Sequence, residues 1–388
     1  MSSAYGSPPV ERSFWRRRVL AALPRSRWES LHLLRAIAAG AVVAHHIPQF
    51  LEPRASFEVA AFEAGASGVD VFFVISGFVM YCATALRQET WHGFLAKRAI
   101  RVLPMYMVVT IAVTAAVWCV PSAFARFGVT PEQLLKSLAF VPQYDSHGSI
   151  RPVIAVGWTL HFELMFYALV ALALTWSPRR AGLWAAAAVL AAVGGASLLG
   201  LPRPFSAWQL LAPIAIEFAL GVALAHALHT LPWLHLPLSF RLAVGSVALL
   251  LGGYLLLGLT PHGLGLERLR VWGTGAFSVV MALAWLEPEL GRMRSFQRCY
   301  RGLGDASYSL YLIHGSVFPI VWKLLPHVVQ SSPLGAWTVL MAAPLLACWP
   351  THALIECRLT RFFSGLRRRE RARVAVAHGG ARLEPYGD

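Results

Sequence analysis

Ten runs of about twenty apolar residues, broken by charge, Pro and Gly clusters, occupy most of the chain. They lie at roughly 31–50, 67–86, 102–120, 158–176, 181–200, 208–228, 240–259, 271–287, 305–325 and 334–356. A helix needs about 20 such residues to cross the ~30 Å hydrocarbon core of a bilayer. The pattern predicts an all-α, polytopic integral membrane protein with about ten transmembrane helices. Composition points the same way: 57% of the 388 residues are hydrophobic and only 14% are charged, against roughly 25% charged in a soluble domain. Five cysteines (Cys82, Cys119, Cys299, Cys348, Cys357) are scattered without CxxC spacing, which suggests neither a disulfide framework nor a zinc cluster.

The formal net charge is +15. In so apolar a chain a basic excess marks topology and anionic headgroups rather than nucleic acid. With the N-terminus inside, cytoplasmic segments hold 25 Lys/Arg and outer segments eight, among them Arg54, Arg126, Arg203 and Arg268, while Arg35 falls within the first run. Both termini are therefore expected in the cytoplasm. The organisation reads as a basic N-terminal segment (1–30), a membrane domain (31–363) and a basic, disordered tail (364–388). The N-terminal segment lacks a small-residue cleavage site before a short apolar core and does not read as a removed signal peptide. The long outer loop 121–157 is placed to cover an outer site. No transporter-type internal repeat is visible, and the alanine-rich 184–192 predicts close helix packing.

Ionisable groups inside spans are costly, so each is a functional candidate. In LHLLRAIAAGAVVAHHI (31–47), eleven residues from Arg35 to His46 leave an offset of only about 20°, so both share one helical face about 16 Å apart. The plainer alternative is an anchoring Arg35 and a snorkelling His46. In GVDVFFVISGF (68–78), Asp70 caps a helix N-terminus or, beside an imidazole, orients that ring; Gly77 on the same face permits close helix approach. FLAKRAIRVLPMY (94–106) carries Lys97, Arg98 and Arg101 before Pro104, a residue suited to a first helical turn. This cluster either fixes topology or holds the phosphates of a nucleotide-containing donor. In VGWTLHFELMFY (156–167), Glu163 and Tyr167 share a face with His161 near, and Glu163 is a candidate partner for an imidazole; Trp158 and Tyr167 alternatively belong to an interfacial aromatic belt. In GDASYSLYLIH (304–314), Ser307, Tyr311 and His314 form a polar stripe that lines a cavity or is satisfied in the core. Glu356, before Arg358 and Arg361, reads as a local ion pair.

Together these segments resemble the acyltransferase 3 family of integral-membrane O-acyltransferases, which modify surface and exported polysaccharides and some other glycosides. The resemblance runs from about Leu31 to Phe363. Arg35 and His46 are similar to the family's first-helix arginine–histidine pair, and GVDVFFVISGF to its second-helix motif. KRAIRVLPMY resembles its arginine-rich motif, VGWTLHFELMFY its tryptophan–glutamate–tyrosine motif in the form seen among exopolysaccharide acetyltransferases, and SYSLYLIH its late serine–histidine helix. Departures are His161, where relatives often carry Ser or Asn, and Cys357-Arg358 after Glu356, where a basic residue and Pro are common. No fused soluble domain is expected after the last span.

The resemblance implies transfer of an acyl group, acetyl above all, from acyl-coenzyme A to a hydroxyl of an exopolysaccharide, lipopolysaccharide or other free or lipid-linked glycan. Its setting would be the bacterial inner (cytoplasmic) membrane. A hydroxyl needs a general base, and His46 is the candidate because imidazole titrates near neutrality; direct transfer and a covalent acyl-His46 both remain open. Glu163 or Asp70 would orient His46, and Arg35, Arg98 and Arg101 would bind the donor. Tyr167, Ser307, Tyr311 and His314 would line the cavity. Acetyl-CoA enters as a substrate; no tightly bound cofactor and no metal is expected, since His45 and His46 diverge by about 100°. Rival readings are a transporter or flippase of a polysaccharide or lipid-linked sugar, and a non-catalytic component of a synthase complex.

Overall fold

A computed structural model describes residues 28–51, 59–87, 89–123, 128–143, 151–198, 212–290 and 294–377. Most of the N-terminal segment, Arg54, Arg126, Arg203 and the last eleven residues lie outside the described residues. Among the described residues all regular structure is helical. The main helices are α1 (Glu29–Leu51), α2 (Gly68–Arg87), α3 (Trp91–Cys119), α4 (Pro131–Leu138), α5 (Trp158–Leu174) and α6 (Ala181–Leu198). They continue with α7 (Ile216–Thr230), α8 (Leu238–Gly258), α9 (Thr274–Trp285), α10 (Arg294–Leu324), α11 (Pro333–Thr351) and α12 (Cys357–Ala377).

Among the described residues, seven helical stretches are long and apolar enough to cross a membrane, so the chain is a multi-pass membrane protein. The other three expected runs take different forms. The run at 181–200 becomes α6, whose apolar part, Ala181–Ala196, is short of a span. The run at 271–287 divides into a π turn, Leu269–Gly273, and the 12-residue α9. The run at 305–325 forms the second part of the 31-residue α10.

Two boundaries differ for clear reasons. Lys97, Arg98 and Arg101 do not precede a helix at Pro104: α3 already starts at Trp91, where the Thr90 side chain accepts from Gly93 N–H. A Thr cap followed by helix-favouring Leu, Ala, Lys and Arg outweighs the proline. The tail expected to be disordered from 364 continues α12 to Ala377, because its Arg, Glu and Ala residues are good helix formers.

The core is built on close approaches. A Cβ at Gly77 of α2 would stand 2.0 Å from Phe218 O, and one at Gly221 of α7 2.0 Å from Val74 O. Bare backbones thus meet where the two helices cross. Phe218 stacks between Phe73 and Phe166, with centroids at 4.6 and 4.7 Å. The start of α1 is capped from a distance: Glu287 accepts from Glu29 N–H at 2.7 Å, from Ser30 N–H at 3.0 Å and from Ser30 Oγ. A carboxylate there satisfies donors that a helix N-terminus leaves unpaired. On α6, Ala181, Ala185, Val189 and Val193 are buried at intervals of four while Trp184 and Leu190 face outward.

Candidate active site

Helices α1 and α10 lie side by side, and their polar residues form two adjoining groups. The first lines a small cavity of about 50 Å³ with Arg35, Ser76, Thr159, Glu163, Ser307 and Tyr311 on its walls. Glu163 accepts from Ser76 Oγ at 3.2 Å and from Tyr167 OH, one turn away. Tyr311 OH donates to Val156 O at 3.2 Å and lies 3.0 Å from Thr159 Oγ1. Ser307 Oγ donates to Gly304 O within its own helix at 2.7 Å.

Two guanidinium groups near this cavity are incompletely satisfied. Arg35 sits over the Phe72 ring at 5.9 Å, and Arg98 over Phe94 at 5.5 Å and Tyr167 at 6.0 Å. The Nε atoms of both are buried without a hydrogen-bond partner among the described residues. A buried, unmatched N–H forgoes roughly 1–3 kcal/mol, which an anionic or carbonyl ligand would restore. Arg101 is exposed.

The second group is an imidazole pair beside a cavity of about 460 Å³ lined by His46, His314, Gln49, Gln133 and Arg151 among others. His46 Nδ1 is 2.8 Å from Val42 O, one turn back. A carbonyl only accepts, so Nδ1 carries the proton and Nε2 keeps its lone pair. His314 Nδ1 likewise bonds Leu310 O at 3.3 Å, leaving its Nε2 to accept from His46 Nδ1 at 3.3 Å. His46 Nε2 has no hydrogen-bond partner among the described residues. His45 differs: Nδ1 donates to Phe62 O at 3.3 Å, and Nε2 accepts from Gln49 Nε2 at 2.8 Å.

The structure therefore groups the sequence-derived residues differently from expectation. Neither carboxylate bonds His46. Glu163 joins the Arg35 cavity because its turn of α5 faces Ser76 of α2. Asp70, fully buried, is held by Arg268, with Nε at 3.0 Å and Nη2 at 2.7 Å from its two oxygens; this pairing replaces the orienting role expected of it. His314, expected only as a cavity residue, is what His46 meets. Glu356 does not pair with Arg358 or Arg361 but accepts from Ser309 Oγ at 2.6 Å and from His352 Nδ1 at 2.9 Å. His161 is buried and bonds Gly157 O at 3.1 Å.

Ser76, Arg268 and Glu217 were missing from the sequence-derived set. Ser76 had a visible signal, a hydroxyl midway along an apolar run. Glu217 is a fully buried carboxyl at the start of α7, legible as an acid within a span. Arg268 carried none, since it reads as one more basic residue outside a span.

Residues 28–353 match a protein family described as an acyltransferase domain. The chain is also similar to the exopolysaccharide production protein ExoZ of Rhizobium meliloti (strain 1021), with 33% identity over 311 residues, covering 77% of this chain and 91% of that protein. No solved structure matches significantly. The family match covers both polar groups of α1 and α10, the Arg35 cavity and the His46–His314 pair, and with it the chain belongs to the acyltransferase 3 family of membrane proteins.

Proposed function

We propose that this chain is an O-acyltransferase of the bacterial cytoplasmic membrane. It moves an acetyl group from acetyl-coenzyme A, drawn from the cytoplasm, to a hydroxyl of an exopolysaccharide, or of a lipopolysaccharide or lipid-linked glycan of similar chemistry, presented at the outer side. The observation that carries this reading is the His46 imidazole, fixed in the Nδ1–H form with a free Nε2 beside the 460 Å³ cavity. Family membership and the similarity to an exopolysaccharide production protein support the substrate class.

His46 Nε2 removes the proton from the acceptor hydroxyl as its oxygen attacks the thioester carbonyl. The carbon–sulfur bond breaks, and the coenzyme A thiolate leaves and takes up that proton. General-base assistance of this kind contributes about 10²–10⁴-fold. As the imidazolium forms, its Nδ1–H bonds to Val42 O and His314 Nε2 become charge-assisted and strengthen, so His314 positions and stabilises the base. On the donor side, Arg35 and Arg98 supply unmatched N–H groups for phosphate or thioester oxygens. Glu163 offsets their charge and fixes Tyr167.

The test is the acyl content of surface glycans, measured by mass spectrometry and proton NMR in cells with and without the gene. Acetyl groups should vanish without it and return with the wild-type chain but not with His46→Ala. Unchanged acyl content with altered glycan export would overturn the reading in favour of a transporter.

A further inference from the structure

Where α11 runs into α12 the helix passes through a π turn, His352–Glu356, closed by Cys357 N–H on His352 O. In a regular α-helix residues five apart stand about 140° apart, and the side chains of His352 and Cys357 would face different ways. The i→i+5 turn adds one residue to the circuit and returns Cys357 to the face of His352. Cys357 Sγ lies 3.3 Å from His352 Nε2, and His352 Nδ1 lies 2.9 Å from Glu356 Oε2. Ser309 Oγ, from α10, donates to the same carboxylate oxygen at 2.6 Å.

The proton positions follow. A carboxylate accepts, so His352 Nδ1 carries hydrogen and Nε2 offers its lone pair to the thiol S–H. A thiol on a base that is itself oriented by a buried carboxylate is the arrangement of an activated nucleophile. Glu356 is buried, while His352 and Cys357 are partly exposed. Exposed Arg358 and Arg361 stand on the same stretch, with Arg361 Nε donating to Cys357 O at 3.2 Å. The glycan reaction proposed above uses none of these groups.

We infer that Cys357 is an acyl-accepting thiol at the cytoplasmic end of the last span, taking its acyl group from an acyl-coenzyme A thioester. His352 Nε2 removes the thiol proton, Sγ bonds the acyl carbon, the carbon–sulfur bond to coenzyme A breaks, and the departing thiolate takes the proton from His352. One thioester replaces another, with no oxidant or reductant. Glu356 is a positioning residue. The inference rests on the donor reading of the previous section for its acyl source, but not for the reactivity of the thiol.

Two measurements on the purified full-length protein in lipid nanodiscs separate these points. The first follows alkylation by iodoacetamide at neutral pH, peptide by peptide. Cys357 should react roughly tenfold or more faster than exposed Cys119, an internal comparison that needs no variant, and His352→Gln should remove the difference. Equal rates for the two cysteines overturn the inference. The second follows incubation with acetyl-coenzyme A. One acetyl mass should appear on the Cys357 peptide, be released by neutral hydroxylamine, and be absent in Cys357→Ala. Fast alkylation without acetylation, or a hydroxylamine-labile acetyl group that persists in Cys357→Ala, overturns the acyl-accepting role. Acetylation of Cys357 in a chain whose loss leaves glycan acyl content unchanged would sustain this inference while sinking the function proposed above.

Discussion

Gln49 and Phe62 O occupy the two nitrogens of His45, whereas Val42 O and His314 occupy only one nitrogen of His46. Replacing His46 by Ala should lower acyl groups per glycan by about 10²-fold or more, at equal membrane abundance, while His45→Ala keeps a substantial part. The reverse ranking would remove His46 from the chemistry. Helical arithmetic alone separated these neighbours, because residue 46 and not 45 shares the face of Arg35. It did not reveal His314, which lies 268 residues away and meets His46 only through packing of α10 on α1. A similar contrast holds between Arg98 and Arg101. Arg98 is partly buried, its Nε enclosed without a partner among the described residues, and Arg101 is exposed. A charged hydrogen bond contributes about 1.5–3 kcal/mol and an exposed ion contact about 1 kcal/mol or less. Isothermal titration of the purified protein with acetyl-coenzyme A should therefore show Arg98→Ala losing roughly tenfold or more in affinity and Arg101→Ala much less. Equal losses would mean that the cluster acts as a diffuse charge.

Among the helices, the contact of α2 with α7 is the least forgiving. Gly77→Ala places a methyl group 2.0 Å from a carbonyl oxygen, so the helices must separate. Overpacking of this kind costs about 1–3 kcal/mol, which should appear as a lower thermal midpoint of the detergent-solubilised protein with reduced monodispersity. A wild-type midpoint would show that the two helices part freely. The first turn of α2 carries the Asp70–Arg268 pair, with side chains 0% and 9% exposed. Removing one partner of such a pair costs about 3–5 kcal/mol, since the other stays buried and charged. Arg268→Met should accordingly reduce folded yield sharply, and Asp70→Asn in the same chain should restore part of it; no recovery would break the link between the two residues. Asp70 and Gly77 were legible as one face of an apolar helix, but their partners were not. Gly221 looks like any small residue in a span, and Arg268 follows a stretch that reads as an outer loop. The start of α3 was misplaced because Pro104 resembles a first-turn proline, while Thr90, the residue that caps the helix, stands fourteen positions earlier.

Across the whole molecule, the orientation proposed above rests on the asymmetry of Lys and Arg, with the basic segments in the cytoplasm. In that orientation α1 and α3 would run outward and α11 inward, which would set Cys119 at the outer end of α3 and Cys357 at the inner end of the last span. Arg35 and His46 would then stand about 16 Å apart across the membrane, a cation on the proposed donor side and a base on the proposed acceptor side. The helical, multi-pass character was readable from apolar runs and composition, because both are properties of the sequence averaged over many residues. The π turn was not readable, since a His and a Cys five positions apart signal nothing on a regular helix. Single-cysteine variants retaining Cys119 or Cys357 provide the test. In intact spheroplasts a membrane-impermeant maleimide should modify Cys119, which is exposed, and should reach Cys357 only after the membrane is opened. The opposite pattern would invert the molecule, placing the Arg35 cavity outside and the His46 cavity inside. An acyl donor from the cytoplasm would then meet the imidazole pair first, and the buried arginines would face the glycan. Modification of both cysteines in sealed spheroplasts would instead mean that the last span does not cross the bilayer, and the cytoplasmic setting of Cys357 would fall with it.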